Sequence, residues 1–335
     1  MQVTPALDAG GVERTTVDVA AAIVADGGRA LVATSGGRME AELAARGGEL
    51  LRLPVHARDP LALWRNAAAL RSIASREGAS LIHARSRAPA WSALRAAQAA
   101  GAPFVTTYAG RYNARSPAKR LYNSVMARGD LVIANSAFTR DHLLAEHPRT
   151  DPARVVSIPR GVDLARFDPE AVDAERIAAA RGAMGIAPDE RRAVVLLAGR
   201  LTRWKGQALM IEALVRARSE ALLVLAGDAQ GRDGYLDELT RLAATHGVAD
   251  RVRVAGHLAD MPAAYLAVDL AVAPSLEPEA FGRTAVEPQA MRRPVLAADH
   301  GAPRETVEEG VTGWRVAPGD PAAWAAALDQ ALALA

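Results

Sequence analysis

Short apolar runs alternate with longer stretches of helical periodicity along the whole chain. Runs of strand length fall at 30–34, 49–55, 80–83, 103–108, 131–135 and 155–158, with a clipped run before Asp8. Between them lie helical stretches at 12–25, 61–76, 88–100, 116–128 and 137–147. Continuous apolar runs of this length read as strands buried on both faces, and their alternation with helices is the pattern of a parallel sheet. A connector follows from Pro159, with a charged helix over 174–183 and Pro188-Asp189-Glu190 at its end. The alternation then restarts, with strands at 193–198, 221–226, 252–255, 270–273 and 294–297. Helices are expected at 207–217, 235–246, 263–268, 281–292 and 321–332. The pattern predicts an α/β protein of two Rossmann-like doubly wound domains, 1–165 and 166–335, facing across a ligand cleft.

At 335 residues, half of them hydrophobic and 23% charged, the chain is a globular protein with room for two cores. It has no cysteine, which excludes disulfides and thiolate metal sites. No apolar run is long enough to span a bilayer, and Met1-Gln2-Val3-Thr4-Pro5 does not read as a signal peptide. A cytoplasmic protein is therefore expected. The net charge of +2 hides an asymmetry: 21 basic against 14 acidic residues through position 165, and 19 against 24 afterwards. A basic first half suits contact with anionic lipid at the inner face of the plasma membrane. Arg111, Arg115, Lys119, Arg120 and Arg128 cluster around a possible amphipathic helix there, with a solvated helix face as the plain alternative. Basic and aromatic residues do not interleave, so nucleic acid is not an expected partner.

Two segments carry the chemistry. Gly199-Arg200-Leu201-Thr202-Arg203-Trp204-Lys205-Gly206 follows one apolar run, and Pro274 through Arg283 and on to Glu287 follows another. Each stands where a parallel strand hands over to a helix, the ligand-binding edge of an open α/β sheet. The first offers cations and tight backbone turns, as a diphosphate requires. Lys205 is one of only two lysines among 40 basic residues, and its compact ammonium meets phosphate as a point charge. The second offers Glu279 and Glu287, carboxylates that each suit a vicinal diol. Eight residues of helix span about 12 Å, roughly the reach from hexose to ribose across a diphosphate. The competing reading makes Glu279 a helix cap and Glu287 a solvated helix carboxylate. Backbone N–H groups over Ala280-Phe281-Gly282-Arg283 open the helix and favour an anionic oxygen. Together the segments point to a nucleotide-sugar site.

These motifs, in order, resemble the retaining glycosyltransferases of family 4, which have the GT-B fold and include enzymes of bacterial envelope saccharides such as lipopolysaccharide. The resemblance extends to Leu7-Asp8-Ala9-Gly10-Gly11, Asn135-Ser136, Ile158 to Asp163, Pro294-Val295-Leu296-Ala297 and Gly310 to Trp314. It implies that Arg200 and Lys205 hold the donor diphosphate, Glu287 the ribose and Glu279 the sugar hydroxyls. Phe281, Gly282 and Arg283 would line the sugar pocket, and Gly10 and Gly11 would let the first domain approach the phosphates. His257 and Leu258 would lie near the base, although His257 alone also reads as an ordinary loop histidine. The donor implied is a nucleoside diphosphate sugar, and the acceptor a saccharide or lipid-linked saccharide. No cofactor and no metal are implied. Leaving-group charge would be met by Arg200, Lys205 and helix N-termini. Retention is usually explained by front-face attack, with Glu279 as a covalent nucleophile the older reading.

Ala109 departs from this pattern, because relatives commonly carry histidine there, over the transfer centre. A slowed enzyme, an inactive variant and a subfamily that uses the backbone carbonyl remain open. A second departure is expected at the C-terminus: the sequence stops at Ala335, where relatives usually continue into a crossover helix, and closure is expected to be weakened. A sugar-nucleotide epimerase and a non-catalytic nucleotide-sugar binding protein are the competing functions. A nicotinamide dehydrogenase is not expected, because neither first loop shows the fingerprint of three spaced glycines.

Overall fold

The computed structural model describes residues 1–334 other than 9, 113–115, 229, 230 and 232. The chain divides into two compact units, Met1–Arg160 and Gly161–Ala335. Val162 packs against the core of the second unit, and Phe167 is buried in it.

Unit 1 runs β1 (Gln2–Val3), α1 (Gly11–Ala25), β2 (Leu31–Thr34), α2 (Glu40–Ala45), β3 (Glu49–Arg52), α3 (Pro60–Arg76) and β4 (Ile82–Ala84). It continues with α4 (Arg87–Ala100), β5 (Phe104–Tyr108), α5 (Pro117–Asn123), β6 (Leu131–Ala134), α6 (Ala137–Glu146) and β7 (Val155–Ser157). All pairings are parallel, in the order β3-β2-β1-β4-β5-β6-β7. Local chemistry sets the helix starts. Asp59 caps α3 by accepting from the Ala62 N–H, with Pro60 in the first turn, and Ser136 and Thr139 form a reciprocal capping box on α6.

Unit 2 runs α7 (Ala174–Ala183), β8 (Val194–Ala198), α8 (Gln207–Arg216), β9 (Leu222–Ala226), α9 (Asp233–Thr245) and β10 (Val252–Gly256). Then come α10 (Met261–Leu266), β11 (Leu270–Ala273), α11 (Arg283–Ala290), β12 (Val295–Ala298), α12 (Pro303–Thr306), β13 (Gly313–Val316) and α13 (Pro321–Leu332). Its sheet is parallel, in the order β10-β9-β8-β11-β12-β13. The central strands are buried throughout, and their side chains divide by the two-residue pleat. Val194, Leu196 and Ala198 enter one hydrophobic cluster, while Val195 and Leu197 enter the cluster on the other face.

Several expected elements change. The first strand is only Gln2–Val3, and the 116–128 stretch is not one helix: α5 ends at Asn123 and a 3-10 turn, Ser124–Ala127, follows. α11 starts at Arg283, because Gly282 adopts a left-handed conformation (φ 78°). β13, α2 and α12 were not expected at all. In each unit the strand order reverses beside the first strand, at β1/β4 and β8/β11, so each sheet has a switch-point crevice at its carboxyl edge. Among the described residues, no helix is long and apolar enough to cross a membrane.

Helix α13 closes one face of the unit 2 sheet. Trp324 is fully buried in that cluster, and its Nε1 donates to the Ala317 carbonyl at 3.0 Å. Trp324→Ala is expected to cost about 3–5 kcal/mol, read as a lower denaturant midpoint. A loss below about 1 kcal/mol would show that α13 is not part of the core.

Candidate functional site

The unit 2 switch point is built from the loops that follow β8 and β11. After Ala198 the chain turns through Gly199, whose N–H donates to the Ala226 carbonyl at 2.7 Å. Buried Gln207, first in α8, donates to the Arg200 carbonyl at 3.0 Å and so fixes the loop from below. Gly206 ends a 3-10 turn over Arg203–Lys205 in a left-handed conformation (φ 79°). A side chain there would stand 2.1 Å from the Pro274 carbonyl oxygen, so only glycine lets the two loops meet. The Leu276 N–H donates to the Trp204 carbonyl at 2.7 Å across the same contact.

This approach brings Lys205 to Glu279. The ammonium donates to Glu279 Oε1 at 2.7 Å, with both side chains only 12% exposed. Ser275 Oγ donates to the same oxygen at 2.5 Å. His300, just after β12, approaches the Ser275 carbonyl through Nε2 at 2.8 Å; a carbonyl only accepts, so Nε2 carries the proton. The Glu279 backbone bridges to Gly301, and its carbonyl accepts from the Ala302 N–H at 2.9 Å. Burial pushes the Glu279 carboxyl upward, but Lys205, Ser275 and His300 outweigh it and hold the group below its ordinary value.

Glu287 lies in the second turn of α11. It accepts from Arg283 Nε at 2.9 Å and from the Tyr265 hydroxyl at 3.2 Å, and its side chain is 12% exposed. Neither of the alternative readings holds: Glu279 does not cap α11, and Glu287 is not a solvated carboxylate. Phe281 is buried, with Gly282 the residue before the helix. Arg200 is exposed, and its guanidinium bonds to no described side chain. His257 is exposed at the end of β10, whereas Leu258 points into the hydrophobic cluster.

Unit 1 places the remaining expected residues. Gly10 stands before α1 with φ 142°, and a side chain on it would meet Glu13 Oε2 at 2.6 Å. Gly11 begins the helix. Ala109 directly follows β5.

The family described as Glycosyltransferase Family 4 matches residues 9–166, and the family described as Glycosyl transferases group 1 matches 185–335. A crystal structure of a glycosyltransferase from Rickettsia africae is 31% identical, with TM-score 0.90 over 99% of this chain and 87% of that one. The chain belongs to the family 4 glycosyltransferases. Its two parallel-sheet units, of seven and six strands, match GT-B glycosyltransferase structures. A crystal structure of Anabaena HepE in complex with UDP is 26% identical with TM-score 0.84, covering 99% of this chain and 90% of that one. D-inositol 3-phosphate glycosyltransferase of Geodermatophilus obscurus is 37% identical over 62% of this chain and 47% of that protein. The chain spans about half the length of the curated relatives it matches.

Ser275, His300 and Tyr265 were missed as site residues. Ser275 and His300 each stand just past a strand end, at the ligand edge, which is the signal that sequence offered. Tyr265 gave none, because a buried aromatic on a short helix reads as core.

The ion pair sets a prediction. Glu279 is held below its unfolded value, so its stabilisation is present above the ordinary carboxylate range and is lost as pH falls through the lowered value. Lys205→Met leaves a buried carboxylate with burial as its largest influence, and is expected to cost about 3–5 kcal/mol at neutral pH. Adding Glu279→Gln should recover part of that loss. Chemical denaturation of the four chains measures it, and equal costs for the single and double variants would refute the coupling.

Proposed function

We propose that the chain transfers a hexose from a nucleoside diphosphate sugar to a saccharide or lipid-linked acceptor, with retention of anomeric configuration. The observation that supports it most is the Lys205–Glu279 pair at the β8/β11 switch point, with Glu287 beyond it on α11. In this reading the Lys205 ammonium takes the diphosphate, the Glu279 carboxylate the sugar and the Glu287 carboxylate the ribose. HepE has been crystallised with UDP-glucose and with UDP and glucose, which favours a uridine donor and a glucose-like sugar.

In this reading Arg200 and Lys205 neutralise the diphosphate as the bond from sugar C1 to the phosphate oxygen breaks. The acceptor hydroxyl attacks the same face, forms the new C1–O bond and passes its proton to the departing phosphate. Glu279 holds sugar hydroxyls and loses its bond to Lys205 in part as phosphate arrives. No metal or cofactor takes part. Unit 1 carries the acceptor, and Ala109 presents backbone where relatives present imidazole. A role in envelope saccharide synthesis fits an acceptor held near lipid.

Calorimetry with UDP, GDP, ADP and their sugar conjugates tests the donor. One nucleotide should bind and Lys205→Ala should abolish binding. Product analysis by NMR should then show transfer with an unchanged anomeric configuration. Interconversion of free sugar nucleotides without acceptor would instead identify an epimerase. Binding without transfer, unchanged in Ala109→His, would identify a binding protein.

Membrane contact has its own support. α5 exposes Lys119, Arg120 and Leu121, the last 61% exposed, although Arg111 and Arg128 lie outside the helix and Arg115 lies outside the described residues. Residues of α5, with Arg128, Arg149 and Arg154, also line an open cavity of about 1020 Å³. Flotation with anionic vesicles at low salt should recover the chain, and Lys119→Glu/Arg120→Glu should release it. Failure of the unmodified chain to float would end this part of the proposal.

A further inference from the structure

The Glu287 carboxylate has a donor on each of its oxygens. Arg283 Nε reaches Oε1 at 2.9 Å, and the Tyr265 hydroxyl reaches Oε2 at 3.2 Å. An ionised carboxylate offers about four lone-pair positions, so each oxygen keeps about one open. Two open positions side by side suit the two hydroxyls of a vicinal diol. The Arg283 and Glu287 side chains, four residues apart on α11, keep a small exposed part, so a ligand can still reach the carboxylate.

Tyr265 sits on α10, and its place is fixed from both sides. Its ring is fully buried in the hydrophobic cluster that Ala285 of α11 also enters, with the Phe167 ring 6.4 Å away. At the start of α10, Asp260 accepts from the Ala263 N–H at 3.2 Å and holds Arg176 of α7 through both oxygens, at 2.9 and 3.0 Å. A phenylalanine would fill the same core position, so packing alone does not explain the hydroxyl. A buried tyrosine hydroxyl needs a partner, and here the partner is a site carboxylate. Burial first, and then the Glu287 charge, push the Tyr265 pKa far above its ordinary value, so the hydroxyl keeps its proton and goes on donating. Arg283, expected to line the sugar pocket, instead commits its Nε to Glu287.

We propose that Tyr265 and Arg283 are positioning residues that clamp the Glu287 carboxylate against a ribose diol, and that this clamp restricts the donor to ribonucleoside diphosphate sugars. The inference rests on Glu287 meeting the ribose and adds what makes that contact selective. A carboxylate that turns freely can follow a single hydroxyl. One held by a donor on each oxygen presents its open lone pairs at fixed positions, and a deoxyribose leaves one of them facing nothing. A site built to bond a hydroxyl rejects the analogue lacking it far more strongly than an apolar pocket rejects a missing methylene. Thymidine diphosphate sugars, which carry deoxyribose, are therefore poor donors.

The test compares, by calorimetry, the ribonucleotide that binds tightest among UDP, GDP and ADP with its 2′-deoxy and 3′-deoxy analogues. On the unmodified chain each analogue should bind about tenfold or more weakly, the size of a lost hydrogen bond to a charged group. Tyr265→Phe keeps the ring and removes only the hydroxyl, while Arg283→Gln removes the guanidinium. Each variant should weaken the ribonucleotide and shrink at least one of the two penalties to about threefold or less. A residue that only packs would leave both ratios where they were. Arg283→Gln keeps the experiment decisive if Tyr265→Phe does not fold. Penalties unchanged in both variants overturn the clamp and leave the donor site standing. An unmodified chain that binds all three nucleotides alike overturns the ribose role of Glu287 and the clamp with it, while Lys205→Ala still judges the diphosphate contact. No nucleotide binding at all overturns the donor reading, and this inference falls with it.

Discussion

An ammonium and a carboxylate that are both nearly buried hold each other in place only if their backbones cannot drift. Lys205 and Glu279 meet that condition because the β8 and β11 loops touch through backbone: Gly206 against Pro274, Trp204 against Leu276, Glu279 against Gly301. Removing either charge leaves the other in a low-dielectric setting with no solvent to turn to. The rest of the donor side inherits its geometry from this contact. Ser275 and His300 are arranged around the Glu279 carboxylate, and the left-handed Gly282 starts α11 at the point that puts Glu287 beside Tyr265.

Both units solve the same problem with different residues. A parallel sheet places every strand's carboxyl end on one edge, and the reversal of strand order opens a crevice there. In unit 2 the crevice is closed by opposite charges. Unit 1 has instead the buried Arg85 bonded to neutral groups.

Much of this was legible in the chain. The five-residue runs Val194–Ala198 and Leu222–Ala226 are apolar throughout, so burial on both faces followed from composition alone, and the motif order carried the family. α13 and α7 keep the bounds expected from sequence, and Asp320-Pro321 and Asp173 mark their starts. What escaped depends on tertiary contact. β13 contains Trp314 and Arg315 on an edge of the sheet, so no apolar run announced it. Helix α5 stopped early because Asn123 is buried and bonded to Arg87, a partner many residues away. The link between Lys205 and Glu279 was invisible for the same reason: two residues, each assigned to a different part of a ligand, turn out to touch.

The scarcity of lysine has a practical side. The sequence has two lysines, Lys119 and Lys205. Lys119 stands exposed on α5, and Lys205 is shielded by Glu279 and lies 4.5 Å over the Trp204 ring. An acylating reagent would thus label Lys119 promptly and Lys205 only when its partner lets go. The ratio of two mass-spectrometric peaks becomes a clock for the opening of the donor loops, with the exposed lysine as its internal standard.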